Sequence, residues 1–338
     1  MRALLFFAFG GELSVQDVPS PDPPRDGVVV EVGATGVCRS DWHGWQGHDP
    51  DIVLPHVPGH ELAGTVAAVG TDVTRWSLGD RVTVPFICAC GRCAQCLAGD
   101  HQVCAAQRQP GFTHWGSFAS HVALDAADVN LVALPDGMSF ATAASLGCRY
   151  ATSYRAVVQQ GRVAAGEHVV VYGCGGVGLS AVQIAVAMGA SVVAVDVSPA
   201  ALDLAESFGA RPVTGGVEAV REATGGGAHL SLDALGSPQT CVDAVLSLRP
   251  RGRHVQVGLL PPSQGRPLIP MERVVAMELE LLGSHGMAAH AYPELLDLVV
   301  SGRLRPDLLV TREIGLKDAA QALAEVGRAP GITVITSF

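Results

Sequence analysis

The sequence predicts a two-domain α/β protein in which a doubly wound parallel sheet is combined with a β-rich domain. The 338 residues exceed the roughly 150 that one domain typically holds. Before about residue 148, short β-branched runs such as 27–32 and 64–70 are separated by Gly, Pro and Asp, which is typical of a twisted β unit. From about residue 150, strand-like and helical runs alternate. This alternation predicts parallel strands joined by right-handed helical crossovers.

The individual elements follow from local patterns along the chain. The apolar N-terminus is predicted to be a first strand and not a signal peptide, because Gly10, Gly11 and Glu12 end it early and no small-residue cleavage site follows. The uncharged run 169–195 is long enough to cross a bilayer, but glycines divide it, which favours buried strands around a helix. In this half we predict strands at 168–172, 191–195, 229–233 and 254–258, and helices at 179–188 and 200–208.

Composition excludes several kinds of function. Hydrophobic residues make up 48% of the chain and charged residues 16%, so burial can offset the entropy of ordering. The net charge of −10 comes without any basic run, which argues against a nucleic-acid surface, since binding phosphates needs clustered Lys and Arg. Lys317 is the only lysine, and neither a phosphate-binding glycine loop nor a tyrosine four residues earlier accompanies it.

A glycine-rich turn predicts a dinucleotide site between a strand and a helix. Residues 173–178 read GCGGVG, a Gly-x-Gly-x-x-Gly pattern that allows a tight turn, close approach of a pyrophosphate and close helix packing. Asp196 follows the next strand, where a carboxylate can accept hydrogen bonds from a ribose 2′-hydroxyl and favour NAD over NADP. The alternative is a plain glycine turn. The predicted cofactor residues here are Gly173, Gly175, Gly176, Val177, Gly178 and Asp196.

Nine cysteines without a recognisable signal sequence indicate a reducing compartment, where metal binding is commoner than disulfide formation. Cys90, Cys93, Cys96 and Cys104 follow a C-x2-C-x2-C-x7-C spacing within one predicted loop. Four thiolates suit a closed, structural zinc site, although similar spacings also bind iron–sulfur clusters. We expect zinc, with Cys88 outside the ligand set.

Three further residues are candidate ligands of a reactive metal. Cys38 and His60 lie in the first half of the chain, and Cys148 lies at the junction with the second. A catalytic zinc takes three protein ligands and leaves a fourth position open. Ligands from both sides of the junction would place the metal in the cleft between the domains. Each residue taken singly could instead belong to the core.

These features occur in an order that resembles a known family. Residues 59–70 read GHELAGTVAAVG and residues 79–82 read GDRV, followed by the cysteine spacing and the glycine turn. The chain is similar over essentially its whole length to zinc-dependent medium-chain dehydrogenases of the alcohol dehydrogenase type. The resemblance implies a GroES-like catalytic domain over 1–149 and 284–338, into which an NAD-binding Rossmann domain over 150–283 is inserted.

The resemblance also implies metal-site roles for matching residues. Cys38, His60 and Cys148 would hold the catalytic zinc, since two cysteines and one histidine are the ligand set of zinc alcohol dehydrogenases. Glu61 would bind the metal transiently during exchange. Asp41 would orient the His60 ring. One catalytic and one structural zinc are therefore expected in each chain.

By the same resemblance, Ser40 and His43 would form a proton relay, and Arg39 would contact the cofactor pyrophosphate. Relatives carry a basic residue near the C-terminal strand that contacts the cofactor phosphates. Residues 332–335 offer none, and Arg328 is the nearest candidate. Further implied cofactor contacts are Thr152, Val257 and Gly258.

The implied activity is reversible hydride transfer between NAD(H) and a primary, secondary or aryl alcohol or its carbonyl product. The residues expected to approach the substrate are Phe86, Phe112, Trp45 and Leu259, and the alternative is that they are core residues. Two other functions stay open: reduction of enals or quinones on the same scaffold, and non-catalytic binding of NAD or zinc. We expect a cytoplasmic homo-oligomer, a tetramer more than a dimer, without nucleic-acid or membrane partners.

Overall fold

The computed structural model describes residues 1–261 and 265–338. Its strands belong to one hairpin and two larger sheets. The strands outside the parallel sheet are β1 (Arg2–Phe6), β2 (Leu13–Asp17), β3 (Val28–Val37), β4 (Glu61–Val69), β5 (Arg81–Thr83), β6 (His121–Leu124), β7 (Val132–Ala133), β14 (Val310–Gly315) and β15 (Ile332–Ser337). The parallel sheet contains β8 (His168–Tyr172), β9 (Ser191–Val195), β10 (Arg211–Val213), β11 (Ala228–Asp233), β12 (Leu248–Gln256) and β13 (Glu280–Gly283).

The β-rich sheet joins the two ends of the chain. Its order is β14-β15-β3-β4-β5-β7, with β6 also paired to β3. The long strand β3 is antiparallel to β4, and two register shifts in this pair bend it, as expected where a sheet curls around its own core. Strand β15 pairs antiparallel with β3, with Thr333 opposite Val37. The C-terminal segment therefore completes the sheet that the N-terminal half begins.

The second sheet is parallel, in the order β10-β9-β8-β11-β12-β13. The chain first adds strands outward from β8 and then returns to add β11 on the other side. The direction of growth reverses between β8 and β11, and ligands of open α/β sheets bind at the carboxyl ends of the strands at this point. The strands predicted at 168–172 and 191–195 are confirmed.

The strand predicted at 254–258 is wrong in its boundaries. Strand β12 begins six residues earlier, at Leu248, and ends at Gln256. Pro250, Gly252 and a left-handed Arg251 (φ 64°) interrupt the apolar pattern that would have revealed its start. The chain leaves the strand after Gln256 because the N–H groups of residues 257 and 258 both donate to the carbonyl of Asp233.

Helices cover the sheets and connect their strands. A few of them begin at a capping serine: Ser237, for example, accepts from the Thr240 N–H and precedes Pro238, which suits the first helical turn. The helices are α1 (Arg39–Trp45), α2 (Ala94–Leu97), α3 (Ala127–Asn130), α4 (Phe140–Ser145), α5 (Ala151–Tyr154), α6 (Gly176–Ala187), α7 (Pro199–Ser207), α8 (Val217–Ala223), α9 (Pro238–Leu246), α10 (Met271–Met277), α11 (Tyr292–Val300) and α12 (Ala319–Ala324). Within residues 1–261 and 265–338, the structure contains no helix with the length and hydropathy of a bilayer span.

A helical stretch connects the two sheets. It passes from α4 through a π-helical turn, Leu146–Tyr150, into α5 and a second π-helical turn, Arg155–Gln160. One hydrophobic core runs from Ala34 and Ala63 of the β-rich sheet through this stretch into β8. Because π-helical turns are often found at functional sites, the first of them directs attention to Cys148.

Candidate active site

The first candidate metal ligand stands at the start of a helix. Cys38 is the N-cap of α1, with extended backbone angles (φ −113°, ψ 155°) that end β3 and allow the helix to begin. The Asp41 side chain reaches back and accepts from the Cys38 N–H at 2.9 Å. This capping arrangement holds the thiol beside the first turn of the helix.

The buried Asp41 carboxylate, 1% exposed, also holds the second candidate ligand. Its Oδ1 accepts from the Gly59 N–H at 3.0 Å and lies 2.8 Å from Nδ1 of His60. Burial lowers the pKa of His60, but Asp41, with a smaller contribution from Cys38, more than reverses this and holds that pKa well above its ordinary value. The other ring nitrogen, Nε2, is buried without a hydrogen-bond partner. The Nε2 lone pair of this basic ring has no hydrogen-bond donor to bind and is therefore well placed to bind a metal ion.

Cys148 comes from the π-helical turn and completes a cluster with Cys38, His60 and Glu61. One ligand atom from each of these residues lies within 4.8 Å of all the others. The hydrogen bond with the Cys148 thiol, together with Arg149 and His60, lowers the pKa of Cys38 well below its ordinary value. Two sulfurs, one imidazole nitrogen and one carboxylate oxygen in this space fit a zinc ion with an exchangeable position.

Glu61 is shared with an arginine that the sequence analysis did not identify. Its buried carboxylate accepts from the Arg149 backbone N–H at 3.0 Å and from Arg149 Nε at 2.9 and 3.1 Å, and also pairs with Nη2. Burial raises the pKa of Glu61, although the guanidinium opposes that shift. In this arrangement Glu61 lies next to the Cys38, His60 and Cys148 ligand atoms while Arg149 balances its charge. The only indication of this role in the sequence was that Arg149 directly follows the candidate ligand Cys148.

The cysteine loop forms a second, separate cluster. Sulfur–sulfur distances are 3.4 Å for Cys93–Cys96, 3.8 Å for Cys93–Cys104 and 4.0 Å for Cys90–Cys96. Tetrahedral zinc with Zn–S bonds near 2.3 Å separates its sulfurs by about 3.8 Å, whereas a multi-iron cluster holds its thiolates further apart. The Cys96 and Ala105 N–H groups lower the pKa of Cys93 to about 6. Cys88 lies outside this cluster.

The predicted glycine turn lies between β8 and α6. Gly173 has a left-handed φ of 88°, and a Cβ on Gly178 would overlap the Gly173 carbonyl oxygen, so both positions require glycine. A Cβ on Gly175 would meet nothing within 4 Å, so the turn is open to an approaching ligand. Asp196 accepts from the Cys174 N–H at 2.6 Å, which places its carboxylate beside the turn.

Three other predicted cofactor residues are Thr152, Val257 and Gly258. Thr152 is 7% exposed, and its hydroxyl has no hydrogen-bond partner. Val257 and Gly258 line a cleft of about 470 Å³, together with Leu259 and His285. The unpartnered hydroxyl of Thr152 and the half-buried segment 257–258 that lines the cleft are both compatible with contacts to a polar cofactor.

The predicted relay residues lie along α1. The structure gives no hydrogen bond to Ser40 within the described residues. His43 Nδ1 lies 2.9 Å from Nδ1 of His48, a second histidine that the sequence analysis missed. The Arg39 guanidinium lies over the Trp42 ring, 4.3 Å from its centroid, and donates to the Val326 carbonyl at 3.2 Å.

Aromatic rings flank the first metal cluster. The ring centroids of Phe86 and Phe112 lie 6.1 and 5.2 Å from that of His60, and Phe86 also contacts His285 of the cleft. Trp45 instead packs against the small core around Phe112, and its Nε1 donates to the Gly11 carbonyl. Leu259 is 67% exposed. The structure thus brings two of the four predicted pocket residues next to the cluster.

Comparison with known proteins shows which family the chain belongs to. The family model described as alcohol dehydrogenase GroES-like domain matches residues 24–136, and the zinc-binding dehydrogenase model matches residues 176–301. An alcohol dehydrogenase of Rhizobium meliloti (strain 1021) is 36% identical over 312 residues, covering 90% of this chain and 89% of the relative. The solved alcohol dehydrogenase from Thermus sp. ATN1 has a TM-score of 0.91 at 31% identity, covering 100% of both chains. A solved NAD-dependent alcohol dehydrogenase has a TM-score of 0.88 at 31% identity, with the same coverage.

Fold and site together define a zinc-binding oxidoreductase that combines a GroES-like domain with a Rossmann-type sheet. The chain belongs to the alcohol dehydrogenase family, in its zinc-dependent medium-chain branch. Its activity is the interconversion of alcohols and carbonyl compounds. The predicted fold class and the family resemblance are confirmed.

Proposed function

We propose that the chain uses NAD(H) to interconvert medium-sized apolar or aryl alcohols with their aldehydes or ketones. The observation that carries the proposal is the convergence of Cys38, His60 and Cys148 at the junction of the two sheets. The solved relative that is named as NAD-dependent supports the choice of cofactor.

Each residue has a defined task in this reaction. Cys38, Cys148 and His60 Nε2 hold the metal, and Asp41 keeps the His60 ring oriented through Nδ1. When bound, zinc supplies a Lewis acid that eases removal of the alcohol proton, and NAD supplies the carbon that accepts hydride. Glu61 is held beside the metal ligands by Arg149, ready to enter the coordination space during exchange.

The proton leaves along α1. Ser40, two residues after Cys38, accepts it from the alcohol, and His43 passes it towards solvent. His48, whose Nδ1 lies 2.9 Å from that of His43, is exposed and extends the path. Oxidation thus releases one proton and one hydride from the alcohol, leaving the carbonyl, and reduction reverses both transfers.

The cofactor binds where the parallel sheet changes its direction of growth. The N-terminus of α6 offers unpaired N–H groups to the pyrophosphate, and Asp196 accepts from the ribose hydroxyls. A 2′-phosphate at this place would meet the negative charge of Asp196. This repulsion supports NAD over NADP.

The substrate class follows from the rings around His60. Phe86 and Phe112 present apolar surface within 6.1 Å of the imidazole centroid, which suits an apolar or aromatic substituent on the alcohol carbon. We also propose a cytoplasmic location, because none of the nine cysteines, all within the described residues, forms a disulfide. We propose a homo-oligomer as well, because β13 leaves an edge of the parallel sheet open to a second copy.

The test is a substrate panel run in both directions with NAD(H), together with metal analysis. We expect turnover of apolar and benzylic alcohols, and about two zinc ions per chain. Cys38→Ala should lose one zinc and the turnover, whereas Cys241→Ala, a buried cysteine of α9, should lose neither. Turnover that survives Cys38→Ala would contradict the mechanism, and reduction of enal double bonds alone would favour the reductase alternative.

A further inference from the structure

Arg149 lies between the metal cluster and the glycine turn, and the reaction as described gives it only the task of holding Glu61. Its side chain is 6% exposed. The backbone N–H, Nε and Nη2 are all directed at the Glu61 carboxylate. One side of the guanidinium is therefore committed to Glu61.

Two glycines, one in a strand and one at the start of a helix, make room for this pair. A Cβ on Gly36 of β3 would overlap Glu61 Oε2 and lie 2.9 Å from Arg149 Nη2. A Cβ on Gly176, the first residue of α6, would overlap Arg149 Cδ and lie 3.3 Å from Nη1. The guanidinium is thus seated against the N-terminus of the helix that follows the glycine turn.

The remaining nitrogen, Nη1, has no hydrogen-bond acceptor among residues 1–261 and 265–338. Arg149 borders a cavity of about 120 Å³ that is also lined by Val326 and Thr333. Arg39 donates to the carbonyl of Val326, one of the residues that line this cavity. A buried cation with unused N–H groups beside a helix N-terminus is a suitable partner for a phosphate oxygen.

We propose that Arg149 is a positioning residue whose guanidinium is shared between Glu61 and the diphosphate of the dinucleotide. This inference rests on the proposed use of NAD(H). It also explains why β15 can present the uncharged Thr333 to the cavity. The positive charge is supplied by Arg149, which lies in the helical stretch that connects the two sheets.

The test compares Glu61→Gln with the double variant Glu61→Gln, Arg149→Met. Starting from Glu61→Gln avoids leaving a buried carboxylate unpaired when the arginine is removed. Binding of NADH is measured by fluorescence, and binding of ADP-ribose and adenosine by calorimetry. The control is Arg312→Met, which removes an exposed arginine of β14 that also lines the cavity.

Loss of a hydrogen bond to a charged group predicts about tenfold to hundredfold weaker binding of NADH and ADP-ribose in the double variant. Adenosine, which has no phosphate, should bind equally to both proteins. Glu61→Gln alone should bind ADP-ribose more tightly than the unaltered protein, because the guanidinium loses a competing charge. Arg312→Met should change none of the affinities.

Three results would overturn the inference. They are unchanged ADP-ribose affinity in the double variant, an equal loss for adenosine and ADP-ribose, and no tightening by Glu61→Gln. The last comparison needs no Arg149 variant and holds even where the double variant does not fold. A lack of NADH binding by the unaltered protein would instead overturn the proposed cofactor, so the two failures are distinguishable.

Discussion

Replacing Asp41 by Asn is expected to empty the first metal centre and spare the second. Three donors converge on this carboxylate: the Cys38 N–H at 2.9 Å, the Gly59 N–H at 3.0 Å and His60 Nδ1 at 2.8 Å. An asparagine has one acceptor oxygen. At least one donor then faces an NH₂ group, and an unpaired buried donor costs about 1–3 kcal/mol.

The effect of such partners on metal binding predicts a loss of free energy of similar size. Removing the partner of a metal-ligating histidine typically lowers metal affinity or activity by about 10- to 100-fold, or about 1.4–2.8 kcal/mol. Asp41 also holds the pKa of His60 above its ordinary value, so the variant ring is a weaker base and a weaker ligand. We expect Asp41→Asn to bind its catalytic zinc about 10- to 100-fold more weakly.

The assay is zinc per chain after dialysis against a chelator, together with the rate of zinc release and thermal unfolding. The unaltered protein should keep two zinc ions per chain and Asp41→Asn one, because the cysteine cluster is untouched. Asp128→Asn is the matched control: this aspartate also accepts two backbone N–H groups, those of Thr74 and Arg75, and belongs to neither cluster. An unchanged release rate and an unchanged kcat/KM in Asp41→Asn would refute the reasoning.

Three further changes test the other assignments. Cys96→Ser should remove one zinc and lower the Tm by several degrees, whereas Cys88→Ser should keep the zinc content, and a fully stable, zinc-replete Cys96→Ser would contradict a structural metal. Asp196→Ala should lower the ratio of kcat/KM for NAD to that for NADP at least tenfold, because a charge that repels the 2′-phosphate is lost, and an unaltered ratio would exclude the ribose contact. Ser40→Ala should lower kcat by about 100-fold or more and shift its pH profile, in line with loss of a proton-transfer group, while zinc content stays constant; an unchanged pH profile would remove Ser40 from the relay.

Local patterns gave good predictions where one short segment contains the requirement. The thiols of Cys90, Cys93 and Cys96 can surround one ion because their spacing already places them in a single loop. The glycine turn could be predicted equally well. Gly173 needs a left-handed backbone, and at Gly178 there is no room for a side chain. Strand β12 was the exception, because Pro250 and Gly252 break its apolar pattern while its neighbours still pair with it.

Contacts between distant segments could not be predicted in the same way. The pairing of β15 with β3 joins the two ends of the chain, and Arg149 reaches Glu61 across 88 positions. His48 was missed because nothing in its sequence neighbourhood marks it, and only the turn after α1 brings its ring to His43.

The sequence by itself therefore determined which residues can bind a ligand and where the backbone must turn. Both depend on residue spacing and side-chain size within short stretches of the chain. The assembly of Cys38, His60 and Cys148 into one centre depends on how the two sheets pack around a shared core. The burial of that core sets the distances between residues far apart along the chain, and with them whether three separate side chains can bind one ion.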